Sequence, residues 1–224
     1  MSDWEVALGP SALKAHLGWI DRGGQGSGRL ELSGVDLRGA RIGANLSSAR
    51  LEKCDLREAH FHLAQLHGLE LVDCRLDGAL LDGCDFEEAV LRNCTLQGTR
   101  APASDFVAAR LTACDFRQAL LERTGWNDAH LENCDFRQAD LQDLTLDGAQ
   151  LQHCDFRQAN LVRSGRTPLG SAEQALFRHC DFRDADLTDL RASTARFEDC
   201  RFHGARAQTV FESGSTLLRP DLSP

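Results

Sequence analysis

Large apolar residues recur at every fifth position of this chain, and in most units a small residue stands two places before them. These unit centres run 32, 37 and 42, then every fifth residue from 46 to 161, then every fifth from 177 to 207. Thirty of the 34 centres are Leu, Ile or Phe; the exceptions are Ala101, Trp126, Ala192 and Ala207. The position two before the centre is Ala 17 times and Cys nine times, and the remaining positions are mostly polar. Four units make a longer period of 20, seen in the consecutive segments that begin at Cys54, Cys74, Cys94, Cys114 and Cys134.

This pattern excludes a helix, because a five-residue step rotates an α-helix by about 500° and scatters the centres around its axis. It also excludes a long flat strand, in which a period of five alternates between faces. A chain that turns a corner every five residues satisfies it. Each side then sends its small and its large apolar residue inward, and the coil closes every 20 residues. Successive coils pair as parallel strands about 4.8 Å apart. The prediction is an all-β solenoid of about eight and a half coils over residues 30–211.

Departures from the period mark the places to look for function. Centres 42 and 46 are only four apart, so the first coil is one residue short. The block that starts at Cys154 has six extra residues, placed within Gly165–Gln174, where glycines and Pro168 predict a loop standing off the rod. Its candidate contact residues are Gly165, Arg166, Thr167, Pro168, Leu169 and Gly170. Trp126 replaces the usual Leu or Phe, so either the core widens there or the ring turns outward, and Ala101-Pro102 predicts a kinked corner.

The open ends of such a coil need caps. Residues 1–29 form the N-terminal cap, with a helix near 10–22: Pro10 suits a first turn, Leu13, Leu17 and Ile20 line one face, and Gly23-Gly24 stop it. The phase fails after Ala207, leaving 212–224 as a tail. Val210, Phe211, Leu217 and Leu218 are available there to cap the last coil or to meet a second copy.

Composition narrows the chemistry. There is no apolar run of membrane-spanning length, and MSDWEVALGP lacks the basic and apolar regions of a signal peptide, so the chain reads as cytoplasmic and free of membrane. All nine cysteines occupy the small inward slot with no CxxC pair, which reads as packing in a reducing compartment rather than a metal or disulfide framework. Neither metal nor cofactor is expected. The eight histidines are dispersed, and no catalytic motif appears, so no catalytic residue is assigned and an enzyme is not expected.

The strings ADL (139–141, 185–187), ANL (44–46, 159–161) and CDF at five-residue spacing resemble the pentapeptide-repeat family. The resemblance implies a right-handed quadrilateral parallel β-helix. Several bacterial members of that family are thought to mimic DNA and bind a type II topoisomerase, DNA gyrase or topoisomerase IV, protecting it from quinolones or peptide toxins. Several dimerise through their C-terminal ends, so the resemblance favours a homodimer.

Charge fits a protein partner better than nucleic acid: 34 acids against 25 Lys and Arg give a net charge of −9, and direct nucleic-acid binding is not expected. In the cysteine phase, aspartates such as Asp115, Asp135 and Asp155 alternate with Arg117, Arg137 and Arg157, leaving that face nearly neutral. Two corners away, five units between residues 64 and 148 sum to −6. The candidate partner contacts are therefore Asp85, Glu87, Glu88, Asp105, Asp128 and Asp147, with Asp82 and Asp73 at the margins. A non-catalytic DNA mimic acting on a topoisomerase is one reading; a general protein-protein interaction scaffold using the near-neutral face is the alternative.

Overall fold

The computed structural model describes residues 9–61, 63–164, 170–207, 210 and 215–221. Among the described residues, a helix, α1 (Pro10–Asp21), precedes twelve short strands. These are β1 (Glu31–Ser33), β2 (Arg41–Ile42), β3 (Arg50–Glu52), β4 (His60–Phe61), β5 (Glu70–Val72), β6 (Val90–Arg92), β7 (Arg110–Thr112), β8 (His130–Glu132), β9 (Gln150–Gln152), β10 (Leu176–Arg178), β11 (Arg196–Glu198) and β12 (Thr216–Leu218). Ten of them form one parallel sheet in the order β1-β3-β5-β6-β7-β8-β9-β10-β11-β12. The chain is a parallel β-solenoid of about nine turns.

The other three sides are ladders of single parallel bridges, apart from β2, which pairs with β4 over two residues at the start of face 3. Counting the sheet as face 1, face 2 runs from Asp36 through Asp115 and Asp155 to Asp221, face 3 from His60 through Arg100 to Arg206, and face 4 from Gln65 through Asp85 and Gly125 to Arg191. Corners between the faces fall two residues after each centre. Ser48, Lys53, Glu58, Asn93, Ala113 and Gln118 are among the corner residues in the left-handed region, with φ between 53° and 59°. A side chain there crowds its own backbone, so each non-glycine corner is strained and held by the ladder on either side.

Register places every large centre over its predecessor. Leu32 lies over Leu51, Leu71 over Leu91, and Leu151 over Phe177. The interior is packed: the void among Leu46, Leu51, Leu66 and Phe86 measures about 10 Å³, too small for a ligand. Aromatic rings stack along the axis, Phe116 on Phe136 at 5.0 Å and Phe136 on Phe156 at 5.0 Å, with planes within 7°. The cysteines are free and buried. Cys74 Sγ donates weakly to the Leu51 and Val72 carbonyls, both at 3.4 Å, and burial pushes the Cys84 thiol up to about 11.

Several expectations change. Ser171 and Gln174 belong to the coil: Asp143 N donates to the Val162 carbonyl in normal register and Leu146 N to the Ser171 carbonyl, which puts the extra residues between Val162 and Ser171. Ala101-Pro102 makes no break: Arg100 bridges Leu80 and Leu120, and Ala101 N reaches the Leu120 carbonyl at 2.9 Å. The coil also persists past Ala207, since Leu217 pairs in register with Phe197 and Asp221 bridges Arg201. Finally, α1 presents His16 rather than Leu17 to the coil, and Leu17 is 40% exposed.

Candidate functional site

Faces 2 and 4 carry opposite electrostatic designs on the same backbone. On an extended unit, the residues just before and just after the buried centre both point outward. On face 2 these are Asp and Arg. Arg117, Arg137, Arg157 and Arg183 grip Asp115, Asp135, Asp155 and Asp181 at 2.6–2.7 Å, and each Asp also accepts the same Arg's main-chain N–H. Rungs are cross-linked, for instance Arg137 to Asp155 at 3.5 Å, and Gln138 donates to Gln158 at 2.9 Å. Burial pushes the Asp115 carboxyl up, but the Arg117 donors and Gln97 outweigh it and hold the group below its ordinary value. Face 2 is therefore charge-neutralised internally.

Face 4 lacks that compensation. Asp85 and Asp105 follow one another along its ladder, and their carboxylates accept only local main-chain N–H groups, from Glu87 at 3.0 Å and Val107 at 2.9 Å. Among the described residues, Asp85, Glu87, Glu88 and Asp105 make no ion pair with Lys or Arg. Among the described residues, the basic group beside them is His67, 3.8 Å from Glu87 and 3.7 Å from Glu88. His67, Asp85 and Glu87 bring ligand atoms within 4.8 Å of one another and are the residues that offer a cation a seat; all three are solvent-accessible.

The remaining predicted contacts separate into different roles. Asp128 stands at the corner of face 4, its carboxylate over Gly148, where an added Cβ would come within 2.3 Å of Asp128 Oδ1. Asp147 is tied up: it accepts Glu173 N–H at 2.8 Å and Ser171 Oγ–H at 2.9 Å, fixing the chain as it re-enters the coil. Its counterpart at the exit is Asp143, only 5% exposed, which accepts both the main-chain N–H and the hydroxyl of Ser164 at 2.7 and 2.6 Å. Sequence reasoning missed Asp143; the signal was an acid in a corner slot one coil before a departure from the period. Asp82 belongs to face 3, where Arg100 reaches it at 3.2 Å, and Asp73 lies at the far corner of face 1, bonded to Asn93.

Gly165, Arg166, Thr167, Pro168 and Leu169 lie outside the described residues, as does Phe211. Gly170 is buried at the return of the insertion. Val210 is buried at the last coil, Leu217 packs on the core, and Leu218 is 39% exposed.

A rod of stacked four-sided coils with a filled interior defines the class, a parallel β-solenoid. Family models described as "Pentapeptide repeat region" and "Pentapeptide repeats (8 copies)" match residues 69–146 and residues 31–68, 42–78 and 172–206. The chain belongs to the pentapeptide-repeat family. Solved structures similar to it include HetL, a pentapeptide repeat protein involved in heterocyst differentiation regulation from Nostoc sp. strain PCC 7120, at 20% identity over 87% of this chain and 85% of that one, TM-score 0.37. QnrB1, a plasmid-mediated fluoroquinolone resistance protein, is 15% identical over 87% of this chain and 90% of its own, TM-score 0.38. No curated protein matches. No helix among the described residues is long and apolar enough to cross a membrane.

Proposed function

We propose that the protein is a non-catalytic mimic of DNA that docks face 4 into the basic DNA-binding surface of a type II topoisomerase, DNA gyrase or topoisomerase IV, and so modulates or protects it. The observation that carries this reading is the uncompensated run Asp85, Glu87, Glu88 and Asp105 on a chain whose other acidic face is neutralised by arginine. With Asp128 and Asp147 counted, six carboxylates occupy three coil steps. That is one charge per about 3 Å of rod, against about 1.7 Å for duplex DNA. A rigid surface of that charge density attracts the same cationic grooves while lacking bases to read. In this reading two copies meet at β12, whose outer edge has no strand partner among the described residues.

The test is gyrase supercoiling with the purified protein titrated in, with and without a fluoroquinolone, at two salt concentrations. The expected result is protection or inhibition that weakens as salt rises and that falls at least tenfold in D85N/E87Q/E88Q/D105N. Absence of an effect, or an effect independent of salt and of those four residues, overturns the reading. The paired Asp/Arg lattice of face 2 favours the second reading, a scaffold for a non-topoisomerase protein. A partner that stays bound in the face 4 variant and is lost when Arg137 and Arg157 are replaced by Gln supports that alternative.

A further inference from the structure

The cap is joined to the solenoid through a histidine that has to remain neutral. His16 in α1 is fully buried, and its Nδ1 accepts the main-chain N–H of Leu30 at 3.1 Å, where the chain enters the first coil. A nitrogen that accepts carries no proton, so the proton is on Nε2. That atom is buried and has no hydrogen-bond partner. The ring stacks on Trp19 with centroids 5.7 Å apart. The fit is close: a Cβ on Gly28 would lie 2.8 Å from the Ala15 carbonyl, so the chain passes α1 with no room for a side chain.

The surroundings oppose a second proton. Arg29 is the charged group that bears on the imidazole, and its guanidinium is fixed by Glu70 Oε1 at 2.8 Å and the Ser48 carbonyl at 2.5 Å. Lys14, Asp21 and Arg22, on α1 and at its end, are exposed to solvent. Among the described residues, the Ser47 carbonyl favours the charged ring. Protonating Nδ1 would set two donors against each other at Leu30 and place a buried positive charge beside Arg29.

We infer that His16 is an acid-sensitive latch: proton uptake at Nδ1 breaks the bond to Leu30, releases α1 from the first coil and uncovers the end of the core on which Leu13 packs. Burial, and after it the Arg29 charge, holds the ring below its ordinary value near 6.5, so the latch stays closed at neutral pH. The uncovered surface is the open end of an apolar core, which solenoid caps exist to hide.

The latch is tested on the full chain by hydrogen exchange, with intrinsic rates corrected for pH. Protection of α1 and of the Leu30 amide is expected to fall more than tenfold between pH 7.5 and pH 5, while β7 is unchanged. In His16→Gln, whose amide oxygen still accepts from Leu30 but does not titrate, that pH dependence disappears. Equal pH responses of α1 and β7, or the same loss of protection in His16→Gln, overturn the latch. If the variant is uncapped at every pH, NMR of the wild-type imidazole decides. A neutral ring protonated on Nε2 that titrates below the ordinary range together with α1 release supports it, and a ring that gains its proton while α1 stays protected refutes it.

Discussion

The Trp126 indole lies flat on the Phe106 ring, with centroids 4.1 Å apart and planes 5° from parallel. Phe116 and Phe136 meet it edge-on from the opposite side of the coil, at 5.8 and 5.9 Å. Its Nε1 donates to Thr124 Oγ1 at 2.8 Å, and that hydroxyl donates in turn to the Leu121 carbonyl at 2.7 Å. Of the two sequence readings for this residue, the buried ring holds, because the small slot beside it supplies the acceptor a buried indole needs.

Trp126→Ala should therefore cost about 3–5 kcal/mol. Thr124→Val keeps the volume but strands Nε1, and should cost about 1–3 kcal/mol. Urea unfolding checks both. A Thr124→Val protein as stable as the wild type would show that the indole finds another acceptor.

Acid should dismantle face 2 before the core. The Asp181 carboxyl, like that of Asp115, is pushed up by burial and pulled down further by its arginine, ending below its ordinary value. A carboxyl whose folded pKa lies below its unfolded one adds stability above the unfolded value, and that stability is lost as pH falls through the folded value. The urea midpoint is accordingly expected to hold down to about pH 4 and then drop steeply towards about pH 2. Asp115→Asn should be less stable at pH 7 and show a shallower drop; an equally steep profile would assign the loss to other groups.

The corners offer a gain. Ala113 is exposed with φ 53°, a conformation that costs alanine more than glycine. Ala113→Gly should stabilise the fold by about 0.5–1 kcal/mol, the relief of left-handed strain exceeding the added freedom of the unfolded chain. The same change at Ala89, buried with its side chain inward, should destabilise. If both substitutions act alike, corner strain is not the cause.

The repeat made most of the fold legible, and for a definite reason. A solenoid buries a residue through contacts with its equivalents one coil away, so the phase of Leu71 or Phe136 in the sequence is already its place in the core. The left-handed corners, the 19-residue first coil and the Asp/Arg clamps follow from that phase. What phase cannot express is how an irregular segment meets the regular one. The return to the coil at Gly170, its staples at Asp143 and Asp147, and the continuation to Leu217 depend on hydrogen bonds to a neighbouring coil.

The acidic face shows the same division. Five-residue bookkeeping found Asp85, Glu87, Glu88 and Asp105 together, because consecutive coils are in register. Formal charge does not record which carboxylates are occupied: Asp147 accepts from Glu173 and Ser171, Asp82 pairs with Arg100, and Asp73 accepts from Asn93. The roll of α1 was equally hidden: apolar spacing favours Leu17, and the bond from Leu30 N–H turns His16 inward instead. The sequence alone determined the coil, its period and the residues facing inward, because those repeat. Only the tertiary structure decided which surface charges are compensated and how the cap is latched, because those depend on single contacts between segments that share no period.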